Sequence, residues 1–499
     1  MNRIILICFF ILPAFYSQGQ ITTSSFLPHL DFPTDSADDP EAVAVHDLDG
    51  DNKPEIVVVS LYGPGISVYR NTTKSGIMDS GSFAPRQDFA VAPDAGMVRL
   101  ADMDGDSKYD IVVASYEQVT ILRNTSTIDT ISFDNPVYLD AIPGANDFEM
   151  ALDDINGDGK TDIIILDNIV TDTALYGYYS VITNNIQSPG AFTSASFNAR
   201  LDYSTGEQFV ETITTGDIDG DGKEDIVVAL TEGSLFIYRN ISTSTVLDTG
   251  SFDVPDTLLG INAVDVDVFD FDLDGKKDLV ISEGQTWLTL VRNNNNPGSI
   301  VTSNFNSYAR FDLAPSGTNP QRLTINDFDG DGKPDVAIAN SGPSVVSVLR
   351  NVSTPGSLTT SSLDAPVNFS TPDRPNGMAS ADLDGDGRID IVAVDGVNGI
   401  GSLISIFQNN TAGITSVSSF LSATNLNVYP NPTSGTVNIQ AVNNISKVSI
   451  LTVTGKECYT GVYNASNIVI DVANLVKGMY LVEVYTADGK NSVSKLSVE

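Results

Sequence analysis

Short apolar runs of four to six residues recur along the chain, each closed by Gly, Pro, Asn or Asp; Ile56-Val57-Val58-Val59 and Ile226-Val227-Val228-Ala229 are examples. Runs this short, rich in β-branched residues and bounded by turn formers, predict β-strands. No segment carries a 3.6-residue apolar period with caps, so the pattern predicts an all-β chain.

A longer cycle lies over the strand pattern. One nine-residue acidic segment occurs seven times, its starts separated by 55, 52, 63, 53, 57 and 55 residues. Position 1 is Asp47, Asp102, Asp154, Asp217, Asp270, Asp327 and Asp382. Position 3 is Asp49, Asp104, Asn156, Asp219, Asp272, Asp329 and Asp384. Position 5 is Asp51, Asp106, Asp158, Asp221, Asp274, Asp331 and Asp386. Position 7 is always basic: Lys53, Lys108, Lys160, Lys223, Lys276, Lys333 and Arg388. Position 9 is Glu55, Asp110, Asp162, Asp225, Asp278, Asp335 and Asp390.

Other landmarks keep the same register. Phe26, Phe83, Phe133, Phe197, Phe252, Phe305 or Leu363 precedes each segment. An apolar strand follows it. A second strand then ends at Arg70-Asn71, Arg123-Asn124, Arg239-Asn240, Arg292-Asn293 or Arg350-Asn351; Thr183-Asn184 and Gln408-Asn409 depart from the pair. Each unit thus offers about four short strands, and seven such units fit a seven-bladed β-propeller, whose closed ring covers the faces one blade cannot cover alone. A linear array of small β modules is the alternative.

The acidic segments point to calcium. Carboxylates at alternate positions converge on one point when the chain curls, and Ca²⁺ takes six to eight oxygens at about 2.3–2.6 Å. The basic side chain at position 7 must face away, leaving its backbone carbonyl as the ligand. Position 6 is Gly in five segments, which suits a positive φ; Asn52 tolerates that conformation better than Ser107. Asn156 makes the third site weaker. An EF-hand would need a bidentate Glu at position 12 between helices. Position 12 is Val58, Val113, Ile165, Val228, Ile281, Ile338 and Ala393, apolar residues of predicted strands. These are therefore calcium-type loops inside β-hairpins. Asp-Gly turns alone would explain one such loop. They do not explain 27 acids at positions 1, 3, 5 and 9 of seven loops, which repel one another unless a cation intervenes. Mg²⁺ is a poor substitute because it demands tighter geometry. At a Kd of about 0.2 mM and about 2 mM calcium, each site adds roughly 1.4 kcal/mol.

Charge narrows the partners. Lys and Arg total 26 against 64 Asp and Glu, a net charge of −38. That excess excludes nucleic acid and anionic membranes as partners. Cys8 and Cys458 are the only cysteines, and His29 and His46 the only histidines, so neither a disulfide framework nor a site built from soft ligands is available. Arg3 followed by an apolar run and then Ser17-Gln18-Gly19 reads as a signal peptide over 1–19. No segment is apolar enough to span a bilayer. The expected organisation is a propeller over 20–410, a Ser/Thr-rich linker over 411–423 and a C-terminal domain over 424–499. That last domain has five basic against five acidic residues, so the acidic excess belongs to the repeats. Its strands (Val437–Ile439, Val448–Ile450, Ile468–Ile470, Tyr480–Val484) and an Asp488-Gly489 turn predict a small β-sandwich.

The acidic hairpin loops with their Phe and Arg-Asn landmarks resemble FG-GAP/VCBS repeats, the units of integrin-α-like propellers and many bacterial surface proteins. The likeness covers about residues 22–410, although a complete Phe-Gly…Gly-Ala-Pro signature is not evident. It implies that each loop joins the first two strands of a blade and binds Ca²⁺ through positions 1, 3, 5, 7 and 9, about seven ions in all. It also implies that the strand around Phe26 completes the last blade. Tyr429-Pro430-Asn431-Pro432, Gly435, Gly455-Lys456, Lys477-Gly478-Met479-Tyr480 and Lys495-Leu496 resemble a type A sorting domain of the type IX secretion system. That likeness implies an origin in Bacteroidetes-type bacteria, export through the periplasm and outer membrane, removal of the domain, and release or attachment to surface lipopolysaccharide. A carbohydrate-binding sandwich is the alternative for the tail.

No catalytic residues stand out. His46 abuts Asp47, but the equivalent positions are Ala101, Asp153, Gly216, Phe269, Asn326 and Ala381, so it reads as a surface residue. Repeat three is longest, and an extra hairpin carrying Tyr176, Tyr178 and Tyr179 offers aromatic rings for a sugar or protein ligand. Ordinary strand aromatics are the simpler reading, as is packing for Trp287. The sequence thus predicts a monomeric, secreted or surface calcium-binding scaffold for a protein or glycan, with the type IX machinery as partner. The alternative is a secreted polysaccharide lyase-like enzyme on the same propeller.

Overall fold

A computed structural model describes residues 20–34, 39–63, 65–74, 76, 78–116, 118–144, 149–170, 175–206, 209–284, 286–305, 307–313, 319–395, 403–411, 427–429, 433, 435–452, 457–473, 475, 477–486 and 491–498. These fall in two compact units, one within 20–411 and one within 427–498. The expected signal peptide, the linker apart from its first residue, Pro430-Asn431-Pro432, Gly455-Lys456 and the Asp488-Gly489 turn lie outside the described residues. No helix among the described residues is long and apolar enough to cross a membrane.

The first unit is a seven-bladed β-propeller. Blade 1 runs Pro40–His46, Glu55–Ser60, Ile66–Tyr69 and Gln87–Phe89 as an antiparallel four-stranded sheet. The first strands of blades 2 to 7 are Ala95–Ala101, Met150–Asp153, Val210–Gly216, Ala263–Phe269, Pro320–Asn326 and Pro375–Ala381. Each packs against the first strand of the next blade, and that of blade 7 returns to that of blade 1. The ring is closed by the chain's beginning. Leu30–Pro33 pairs with Leu403–Phe407 as the fourth strand of blade 7, with Leu30 opposite Ile406, and Phe26 bridges Asn409.

Burial follows from this stacking. The second strands, such as Glu55–Ser60 and Asp225–Leu230, are buried at every residue because a blade covers each of their faces. That is why they read as unbroken apolar runs rather than alternating ones. The apolar clusters lie between blades; one joins Val43 and Val58 of blade 1 to Val392 and Ile406 of blade 7.

The 63-residue spacing around blade 3 corrects one expectation. The added residues lengthen the hairpin of its second and third strands, Asp162–Val170 and Leu175–Ile182; they do not build an extra one. Tyr179 is fully buried there, stacked on Tyr203 at 4.8 Å with their planes 7° apart. It is core, not an exposed ligand platform. Tyr176 and Tyr178 are half-buried.

In the second unit, Asn427–Tyr429, Thr436–Thr452, Glu457–Asp471, Gly478–Thr486 and Asn491–Val498 form one five-stranded sheet. Thr436–Thr452 runs through both halves, and its register shifts at Ile445. Residues of both halves, among them Ile439, Ile468, Ile450 and Leu496, share one apolar cluster.

Candidate metal centres

Each acidic segment caps the hairpin between the first and second strands of its blade. The residue before position 1 pairs with the position 9 acid, as in His46 opposite Glu55 and Asn326 opposite Asp335. Between them the carboxylates organise the backbone. Asp47 accepts the Gly50 and Asn52 N–H groups, both at 2.8 Å. Asp49 accepts Asp51 N–H at 3.1 Å, and Asp51 accepts Lys53 N–H at 2.9 Å. The curl needs positive φ at positions 4 and 6. Asn52 (65°) and Ser107 (69°) adopt it at position 6 as the glycines do elsewhere, and Leu273 (60°) adopts it at position 4 of the fifth loop.

Position 9 is the buried floor of the loop. Glu55 is fully buried; Oε2 accepts Leu48 N–H at 2.8 Å and Oε1 accepts Asn71 N–H at 3.1 Å. Burial pushes Glu55, Asp110, Asp162, Asp225 and Asp278 up to about 7. It pushes Asp335 and Asp390 up to about 8. Neighbouring acids of each loop add to the shift, and backbone donors oppose it. Asp162 Oδ2 is buried without any donor among the described residues.

Carboxylate oxygens from positions 1, 3 and 9 lie within 4.8 Å of one another in at least five loops. These are Asp47, Asp49 and Glu55; Asp102, Asp104 and Asp110; Asp217, Asp219 and Asp225; Asp270, Asp272 and Asp278; and Asp327, Asp329 and Asp335. All are hard oxygen donors, and three clustered carboxylates, two of them buried, form a set that a divalent cation of the calcium type fits.

The segments with their flanking strands match the FG-GAP-like repeat family over residues 47–113, 102–165, 217–281, 270–338 and 327–393. The chain belongs to the FG-GAP-like repeat family. Residues 427–499 match the secretion system C-terminal sorting domain, which marks this FG-GAP-like protein for type IX export to the cell surface or beyond. No curated protein matches the chain significantly. Among solved structures, it is similar to a chain of the BBS1N–ARL6DN complex at 12% identity and TM-score 0.45, covering 78% of this chain and 99% of that one. It is also similar to an Agrocybe aegerita lectin that recognises non-reducing terminal N-acetylglucosamine, at 17% identity and TM-score 0.29, covering 74% and 80%. A third is the extracellular domain of a hybrid two-component system from B. thetaiotaomicron, at 9% identity and TM-score 0.40, covering 95% and 60%.

The repeat's Asn ties the loops into a circle, a role its spacing alone did not reveal. Asn124 Nδ2 donates to Tyr109 O in its own loop and to Leu48 O, position 2 of the preceding blade's loop. The same inter-blade bond joins Asn184 to Met103, Asn240 to Ile155, Asn293 to Ile218, Asn351 to Phe271 and Asn409 to Phe328. Asn71 bonds Leu383 and completes the circle. Position 2 is apolar in all seven loops and buried between blades; that regularity was the available signal.

The paired Arg also acts on the loop. Arg123 reaches Asp104 at 2.5 Å and Asp106 at 2.9 Å. Arg239, Arg292 and Arg350 likewise hold positions 3 and 5 of their own loops. Gln408 reaches Asp384 in blade 7. Arg70 instead pairs with Asp129 of blade 2 at 2.9 Å, and Asp129 N–H donates to Asp49. The basic residue of position 7 turns away from the loop centre in four cases, Lys108, Lys276, Lys333 and Arg388, each donating to a backbone carbonyl after the Asn or of the Asn itself. Arg388 also touches Asp386. Lys53, Lys160 and Lys223 instead fold back onto the position 5 carboxylate. His46 stacks on Tyr109 of blade 2 at 3.6 Å, a packing contact between blades. Trp287 begins the third strand of blade 5 and is 37% exposed.

Proposed function

We propose that this protein is a secreted or surface-held binding scaffold whose propeller is stabilised by calcium. The supporting observation is the convergence of the position 1, 3 and 9 carboxylates in loops that are themselves bonded blade to blade. Positions 1, 3 and 5 supply carboxylates, position 7 its carbonyl, and position 9 the buried acid. A bound ion would neutralise the clustered charge and fix each hairpin, and its role is structural. The proposed mature form follows removal of 1–19 and of the sorting domain, is monomeric, and presents its exposed propeller surface to a protein or glycan.

Calcium titration by calorimetry and metal analysis of the dialysed protein test the reading, with about seven ions per chain expected. Absence of bound metal at about 2 mM calcium overturns it. Binding of a polymer without product formation supports the scaffold role. New reducing or unsaturated ends would assign a lyase instead.

A further inference from the structure

The first strands enclose a channel along the propeller axis, and its charge is unbalanced at one end. Glu41, Glu149, Glu211, Asp265 and Arg322 lie five or six residues before the acidic loops of their blades. They therefore sit at the mouth away from those loops. In every blade but the third the register shifts at this level, in blades 1, 4, 6 and 7 between Pro40 and Ala42, Val210 and Thr212, Pro320 and Leu323, and Pro375 and Gly377. Such bulges re-aim a side chain. The residues inside the shifts include Glu41, Glu211, Arg322 and Asn376. With Glu149 they line a cavity of about 410 Å³, within the range of small-molecule sites.

Four carboxylates here face one guanidinium. Arg322 pairs with Glu149 and with Asp265, the latter at 3.3 Å. Asn376 Nδ2 donates to Glu41 at 2.7 Å. Glu149 is 4% exposed, and its second oxygen meets no donor among the described residues. Glu211 likewise has no hydrogen-bond donor among them and lies close enough to Glu149 to be repelled by it. Glu211 keeps an exposed face, while desolvation raises Glu41 to about 7 against the opposing pull of Arg322 and Asn376.

We propose that this mouth binds a small organic molecule carrying a primary ammonium group, held by Glu211 and the free oxygen of Glu149, with Glu41 and Asn376 beside it. An ammonium carries three donors for separated carboxylates. A bare metal ion suits the place poorly, because a cavity of about 410 Å³ far exceeds an ion's size.

The test is calorimetry on the full chain in about 2 mM calcium, so that the loops are filled, with 1,4-diaminobutane as probe and 1,4-butanediol as its uncharged control. One saturable equivalent of the diamine is expected, weakened at least about tenfold by Glu149→Gln and by Glu211→Gln, with butanediol not binding. Glu149→Gln disturbs the Arg322 pair; Glu211→Gln removes no hydrogen bond among the described residues, so an unchanged melting temperature in that variant keeps the test independent of folding. Absence of saturable diamine binding, equal binding by the diol, or undiminished affinity in a folded Glu211→Gln variant overturns the proposal.

Discussion

At the residue scale, the loop positions differ in what they tolerate. Leu273 holds φ at 60° where the other six loops have Gly. A non-glycine residue there costs roughly 1–2 kcal/mol of strain, and Leu273 is 46% exposed, so its side chain packs little. Leu273→Gly is expected to raise stability by about 1 kcal/mol in denaturant unfolding. The buried position 9 acids set a pH dependence. Their folded values of about 7 to 8 without metal exceed the ordinary carboxylate value of about 4. The folded, metal-free protein therefore binds more protons than the unfolded chain between those limits. Its stability is greatest below about pH 4 for these groups and falls as pH rises toward 8. Calcium needs the deprotonated form, so the melting-temperature gain from calcium should grow over the same window. Thermal scans at pH 5 and 8, with calcium and with chelator, check both signs; an apo form that gains stability through these groups as pH rises would contradict them.

At the element scale, the hairpin loop and the next blade's Asn act together. Asn351→Ala would leave Phe271 O and Pro334 O without a buried donor. A loss of about 2–3 kcal/mol is expected in equilibrium unfolding. The apolar strands and acidic loops were legible because each follows from local chemistry: turn residues, alternating carboxylates, β-branched runs. The Asn contact was not, since its acceptor, Leu48 O for Asn124, is 76 residues away. The ligand-platform alternative for Tyr179 stayed open for the same reason. A Tyr-rich strand looks alike whether it edges a blade or, as here, packs on Tyr203, Tyr238 and Phe252 of its own and the next blade.

At the scale of the whole molecule, ring closure rests on one short strand. Removing residues 20–33 would expose the edge of Leu403–Phe407, which Leu30–Pro33 now covers. An open edge invites pairing with another chain. The truncated protein should melt lower and self-associate, as gel filtration with light scattering would show; an unchanged monomer would argue against this closure. Chelation acts on all loops at once. If the proposed sites each contribute roughly 1.4 kcal/mol, emptying about seven of them would remove as much stability as many domains possess. A large, calcium-reversible drop in melting temperature is expected in a scan with excess chelator.

The sequence by itself determined the all-β class, the number of blades, the acidic hairpin loops and the separate neutral tail. Each is written in local pattern and repeated at a fixed spacing, where one blade's errors are corrected by six others. Only the tertiary structure decided which strand closes the ring, which residue of each blade bonds the next, and where charge gathers in the axial channel. Those features join residues far apart in the chain, such as Glu149 and Arg322, 173 positions apart. Neither residue is part of the repeat's shared pattern, so only the closed circle brings them together.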